Sequence, residues 1–486
     1  MMHMIYSAAD NVVIWLGPGN PHTDFALDLM NSAEFRKRLW ELPFLGRQPF
    51  ENEILLDVIF KHDLCRRDWW QRLWVRQEFI LATNEPIICC GSRAIAWSDI
   101  VGCFASLPRL WNYPDCAKIW EDCRNRLSSV LSRRHDTVGI HPMSLDRIRN
   151  SFHESKALPL HDAFRYVLRN SAATNPRDLI YGLLGLLEKH DRDRLTVDYT
   201  LEPMTVYRQA AYLLWAEHSE QLLSTLLPTL SFRGSSSVHP SWVPDFAASK
   251  IRGWQDHKTM QADKPWGRQS NSLFDNNKSI LRLNGVLFDT VESTTQAPDT
   301  FDDIQEILPF LRHAESLLSE AVNRPILSEH PLWPMRDLKN QESVLKTLTK
   351  SAVSSEDLFP GFSDQSIWDL LLSTRVQNQV DDDSAQTETN IRSKLFARLS
   401  TMLRGKVTGR KALTTASGFV GVGVSQIKAG DIITLIFGAT APLVLRCSGD
   451  EFNIVGSAYI SGLMDPEILD SYTERLKSRE TFFNIG

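Results

Sequence analysis

The sequence lacks any apolar run approaching the ~20 residues that cross a bilayer, which argues against a membrane span. Its start, MMHMIYSAADNVVIWLG, has no basic stretch followed by a small-residue cleavage site, so no signal peptide is expected. A large excess of either charge is also absent. Lys and Arg number 53 against 59 Asp and Glu, a net −6 that gives no reason to expect nucleic acid or an anionic membrane as partner. The seven cysteines, at 65, 89, 90, 103, 116, 123 and 447, form no even framework and no C-x-x-C pair. His62 and Cys65 have one suggestive spacing, but no second pair answers them, so no zinc site is expected. The reading is reduced, mostly buried thiols in a cytoplasmic protein. Serine-hydrolase elbows (G-x-S-x-G), zincin helices (H-E-x-x-H), nucleotide loops and internal repeats are all missing.

What is present is an ordinary globular composition, 43% hydrophobic and 23% charged over 486 residues, enough for two to four domains. Residues 11–17 (NVVIWLG) read as a buried strand, followed by a helix with Thr23 as its N-cap. A loop falls around residues 42–49, ENEILLDVIFKHDL reads as an amphipathic helix, and a further helix runs through Ala82. IICC at 87–90, a turn at Gly91-Ser92, and AIAWSDIVGCF give a strand and then a strand entering a helix. Strands alternating with helices argue an α/β domain with a mainly parallel sheet. Residues 104–156 mix helix with surface loop. Residues 159–187 give two helices broken at Asn175-Pro176, with Pro176 in the first turn of the second. Another helix covers 204–223, and 235–240 is a loop.

Further on, residues 279–291 alternate like a strand pair, and 301–375 are largely helical. The acidic, polar stretch 377–390 reads as a disordered loop. From Thr414, short β-rich runs punctuated by glycine suggest a small antiparallel sheet or barrel-like module. The glycines at 418, 421 and 423 match no phosphate-binding loop and are followed by strand, so they read as a Gly-rich hairpin. The division expected is residues 1–200 as an α/β domain, 201–400 as a mostly helical region, and 405–470 as a β-rich C-terminal module.

One residue stands out. On a helix, Glu78 has Trp74, Val75, Leu81 and Ala82 at its neighbouring spacings, all apolar. A carboxylate on an apolar stripe is costly unless something binds it, so it either caps a buried network or does chemistry. Trp69, Trp70 and Trp74 read most simply as core packing. Arg177-Asp178 reads as structural, with Asp178 favouring the helix dipole and Arg177 in an ion pair. His161 and His190, lone histidines on helical segments, read as core or surface residues.

Four blocks carry a resemblance: MxxIYxxAxxVxxWLG at Met2–Gly17, RxWxxQExxLA at Arg72–Ala82, NPRDxIYGLLGL at Asn175–Leu186, and SWVPDF at Ser241–Phe246. Together they resemble the heterokaryon incompatibility (HET) domain family of filamentous fungi. The C-terminal GFVGVG…GDIITLIFGATAPLVLR…IVGSAYISGLMDPEIL resembles the region that often follows that domain. HET domains begin with further strand–helix units upstream of the first block, so the resemblance implies that the first strands are missing here. The family is in turn similar to Toll/interleukin-receptor (TIR) domains, several of which cleave NAD with a glutamate in a Trp-x-x-x-Glu helix. Trp74 to Glu78 matches that arrangement.

The resemblance implies an incomplete TIR-like parallel sheet with helices, a helical middle and the β-rich module. It implies a signalling and cell-death effector of fungal nonself recognition, working through protein partners and self-association. Alternatives are a TIR-like NAD-cleaving hydrolase using Glu78, with Trp74 as cleft wall, and an inactive remnant. No cofactor or metal is expected, with NAD only as a possible substrate. With the early strands missing, this chain alone is expected to cleave no NAD, because positioning supplies much of an enzyme's rate.

Overall fold

The computed structural model describes residues 2–45, 51–107, 119, 122–123, 126–127, 142–168, 171–227, 232, 239–247, 273–277, 279–296, 309–310, 312–314, 316–317, 409–460, 463 and 479–486. The chain forms two compact units, Met1–Val206 and Tyr207–Gly486. The acidic stretch 377–390 lies outside the described residues, as do most of 104–141, of 235–240 and of 301–375. The few described positions between 309 and 317 are helical.

In the first unit, α1 (Met2–Ser7) leads to β1 (Val13–Trp15). β1 pairs in parallel with β2 (Ile87–Cys90), which pairs antiparallel with β3 (Arg93–Ala96). The unit is thus α/β, but its sheet is mixed rather than mainly parallel. The cause is the Gly91-Ser92 turn: two residues can join antiparallel strands but leave no room for a crossover, and Gly91 takes a φ of 57°, which favours glycine. Nor is β1 buried on both sides. Ile14, Ile88, Cys90 and Ile95 point into the core, whereas Val13 and Trp15 are more than half exposed on the opposite face.

The helices fill the inner side. α2 (Pro21–Asn31) is capped by Asn20, not Thr23. Asn20 Oδ1 accepts from the amides of His22 and Thr23, both at 2.9 Å, while the Thr23 hydroxyl returns to the Asn20 amide at 2.8 Å. That reciprocal box moves the cap three residues earlier, with Pro21 entering the first turn. α3 (Ala33–Leu45) continues past the loop expected at 42, and α4 (Glu51–His62) follows. Two short 3₁₀ turns, Leu64–Arg66 and Asp68–Gln71, precede α5 (Leu73–Leu81), so the helix through Ala82 starts later than the polar pattern suggests. α6 (Trp97–Ser106) and α7 (Pro142–Ser155) complete the layer.

An aromatic cluster packs beneath α5. The Trp69 and Trp70 rings meet edge to face at 5.0 Å, and Phe79 lies 4.3 Å from Trp97. Trp70 donates its indole N–H to the Leu64 carbonyl (2.7 Å), and Trp97 donates to Asp146 (2.7 Å), so burial leaves neither polar tip stranded. Core packing is right for Trp69 and Trp70. Trp74 is only half-buried. Among the cysteines, 65, 90, 103 and 123 are buried free thiols, Cys89 is half-buried and Cys447 exposed.

Asp178–Tyr181 is a single helical turn rather than a full second helix, and Pro176 sits just ahead of it. α8 (Pro203–Glu217) ends at His218 and resumes as shorter turns through Leu226.

The second unit closes a sheet on itself. β5 (Leu281–Thr294) is one strand of fourteen residues where a strand pair is expected, running straight through Asn284-Gly285. It pairs with β11 (Glu480–Ile485) and β8 (Ile432–Ile436), and at its far end with β6 (Arg410–Thr415). Register shifts at Leu287/Asp289 and Val291/Ser293 bend it between these partners. β6 forms a hairpin with β7 (Val420–Val424), and β9 (Leu443–Ser448) joins β8 to the long β10 (Glu451–Ile460). β10 meets β7 and β11, which completes the ring, while β4 (Leu273–Phe274) adds to β5. Closure removes the sheet's edges.

The Gly-rich hairpin is as read. At Gly421 a Cβ would come within 2.2 Å of the Tyr459 carbonyl oxygen on the neighbouring strand, so only glycine fits there. SWVPDF works in this unit as a fastening. Ser241 donates its amide to the Gly486 carbonyl (2.6 Å) and accepts from Ile454 through its hydroxyl (2.9 Å). Trp242, fully buried, donates to the Ser279 carbonyl at 3.0 Å.

Candidate functional site

Every residue of α5 is buried except Trp74 and Glu78. The helix is enclosed on most sides, and its one accessible strip holds these two residues a turn apart. The apolar-stripe reading of Glu78 is therefore corrected. Val75, Leu81 and Ala82 are buried, but the carboxylate lies on the strip that remains half-exposed.

α5 is held against the stretch around residues 167–182 by backbone and side-chain hydrogen bonds. The Leu73 amide donates to the Ala172 carbonyl at 3.0 Å, and Ala172 returns an amide to Gln71 at 2.5 Å. Gln77 donates through Nε2 to the Gly182 carbonyl. Arg76, 1% exposed, donates to the carbonyls of Val167 and Trp70, and burial lowers its guanidinium pKa to about 9.

On the accessible strip, Trp74 donates its indole N–H to Asp178 Oδ2 at 3.2 Å. Asp178 Oδ1 accepts the Tyr199 hydroxyl at 2.7 Å. The Tyr199 ring meets Tyr181 edge to face at 5.2 Å, and Tyr181 in turn donates to the Asp198 carbonyl at 2.9 Å. Burial, the Asp178 hydrogen bond and its charge push the Tyr199 phenol up to about 12. Glu78 accepts a hydrogen bond from the Tyr6 hydroxyl of α1. Burial first, then the Glu78 hydrogen bond and charge, raise Tyr6 to about 12 against the opposing pull of Arg72.

The structure thus joins two expected site residues to Tyr6, which the sequence did not single out, and to Asp178, which it read as structural. Tyr6 lies in the first motif block, Trp74, Gln77 and Glu78 in the second, and Asp178 and Gly182 in the third. Tyr199 carried no sequence signal. Asp178 stands in the first turn of its helix as expected. Arg177, however, donates to the Leu201 carbonyl and to Asn175 Oδ1 and forms no ion pair among the described residues. Chemically, the strip offers two carboxylates, each with a phenol donor, on either side of an indole.

An α/β unit whose scattered blocks meet on one helix, followed by a chain segment closing into a β-barrel, defines a two-part α/β-plus-barrel protein. Family models match both parts: the heterokaryon incompatibility protein (HET) model over residues 1–78, and the Het-6 beta-barrel domain over residues 364–485. The chain is 23% identical over 560 aligned residues to heterokaryon incompatibility protein 6, OR allele, of Neurospora crassa, covering 100% of this chain and 80% of that protein. The two ends of the chain are thus similar to the HET family and to the Het-6 barrel. No solved structure matches it.

Proposed function

We propose that the chain acts in heterokaryon incompatibility, as a signalling and cell-death effector of fungal nonself recognition in the cytoplasm. The observation that carries this reading is the meeting of three family motif blocks on α5, through Tyr6–Glu78, Trp74–Asp178 and Gln77–Gly182. Blocks far apart in sequence are held together as one surface. The similarity to the Neurospora protein extends across the barrel as well, which supports a shared architecture. No helix among the described residues is long and apolar enough to cross a membrane, in keeping with an effector that works through protein partners and self-association. Expression in a filamentous fungus tests this: arrested growth is the expected outcome, and normal growth at high expression overturns the reading.

A second reading rests on Glu78 itself. Its carboxylate is partly accessible one turn from Trp74, as an NAD-cleaving site of TIR type requires. There, water would replace nicotinamide at the ribose carbon, giving ADP-ribose, nicotinamide and a proton, while Glu78 holds ribose hydroxyls and stabilises the oxocarbenium charge. Incubation with NAD and assay of nicotinamide decides it. Release that survives Glu78→Gln would assign the chemistry to another residue.

A further inference from the structure

The outer face of the three-stranded sheet in the first unit is apolar throughout. Val13 (61% exposed), Trp15 (56%) and Ile87 (38%) stand on it, with Cys89, Ala94 and Ala96 beside them. The register sets them in two rows, Val13–Ile87–Ala96 and Trp15–Cys89–Ala94, and no charged side chain interrupts either row. Both rows start at β1, which has a neighbouring strand on one side only.

The open side of β1 carries free backbone groups. In a parallel ladder, alternate residues of a strand bond to its neighbour. Here the Ile87 amide donates to the Val12 carbonyl at 3.0 Å, and the Leu16 amide to the Cys89 carbonyl at 2.8 Å. Val12, Ile14 and Leu16 therefore face β2, while the amides and carbonyls of Val13 and Trp15 face away from it. No hydrogen bond among the described residues occupies them. Such a row is a template for another strand.

The strand's own register selects the occupant. Two copies of β1 laid antiparallel about a two-fold axis at Ile14 bring Val13 of each opposite Trp15 of the other. These are the residues whose backbone groups point outward, so each opposed pair exchanges both of its amide–carbonyl bonds. The side chains agree, because an aromatic beside a β-branched residue is a favourable cross-strand pair. With no charge in either row, nothing on this face repels a copy of itself. We propose that β1 is a self-pairing edge: two copies of the chain join antiparallel along Val13–Trp15, merging their three-stranded sheets into one. A three-residue edge is small against the roughly 20–30 residues a side of a standard interface, so this dimer forms reversibly.

The test uses the purified full chain, so its failure leaves the growth experiment above untouched. Sedimentation equilibrium is expected to show a mass that rises with concentration from that of one chain towards that of two. Over the same range, hydrogen exchange at the Val13 and Trp15 amides is expected to slow. Val13→Pro removes an N–H that no bond within the chain uses, and Trp15→Lys puts a charge on the edge. Both are expected to lose the dimer and keep the wild-type circular dichroism. A wild type that stays monomeric throughout leaves the edge to a strand of another protein and overturns the proposal. So does a dimer that survives both substitutions, or one in which the Val13 and Trp15 amides exchange as in the monomer. If neither variant folds, exchange in the wild type decides.

Discussion

Tyr6 and Tyr199 each place a phenol on a carboxylate of the accessible strip, and both are raised to about 12. A phenol whose folded value lies above its unfolded one stabilises the fold fully below the unfolded value of 10.0. That contribution is lost as pH rises through the folded value. Spectrophotometric titration of the nine tyrosines should therefore show a late class, and Tyr6→Phe should remove part of it. The same substitution should cost about 0.5–1.5 kcal/mol in denaturant unfolding, the usual net worth of one hydrogen bond. An unchanged late class would show that Tyr6 does not sit on Glu78. Glu78 and Trp74 were legible in the sequence because their spacing and neighbours are local. Their partners were not: Asp178 lies 104 residues from Trp74, and no periodicity records which distant loop a helix will meet.

At the scale of elements, α5 shows how a helix can be fixed by polar side chains inside a core. Gln77 reaches the Gly182 carbonyl, and a Cβ at Gly182 would lie 2.8 Å from Leu73 Cδ2, so loop and helix are in close contact. Gln77→Ala leaves a buried carbonyl without its donor and should destabilise the first unit by about 1–3 kcal/mol. Equilibrium unfolding followed by tryptophan fluorescence would measure it, and a change near zero would mean the contact is dispensable. Strand and helix types were mostly readable, since IICC, GDIITLIF and PLVLRC are short β-branched runs bounded by turns. The errors have physical causes. Asn284-Gly285 resembles a turn, but strands on both sides of β5 keep it extended. The cap of α2 went to Asn20 because Thr23 can answer it from the third position.

At the scale of the whole molecule, the barrel depends on the chain's last strand. β11 matches β5 over six residue pairs, and Phe483 and Ile485 are buried. Deleting residues 479–486 should expose that side of β5 and abolish cooperative unfolding of the second unit; a deletion variant that melts like the intact chain would contradict the ring closure. That β5 joins strands beginning more than a hundred residues later was not legible, because ring closure is a long-range pairing. It has a consequence for how the chain tolerates change. The Thr295 amide donates to the Ala412 carbonyl, and Thr295 Oγ1 accepts from the Ala412 amide, both at 3.0 Å. Thr295 and Ala412, which flank residues 297–408 in the chain, are therefore anchored side by side, like the two sides of a junction where a detour leaves a road and rejoins it. Each doubling of such a detour costs only about 0.6 kcal/mol of closure entropy. Replacing residues 318–362 with a short Gly/Ser linker should leave the barrel's melting cooperative.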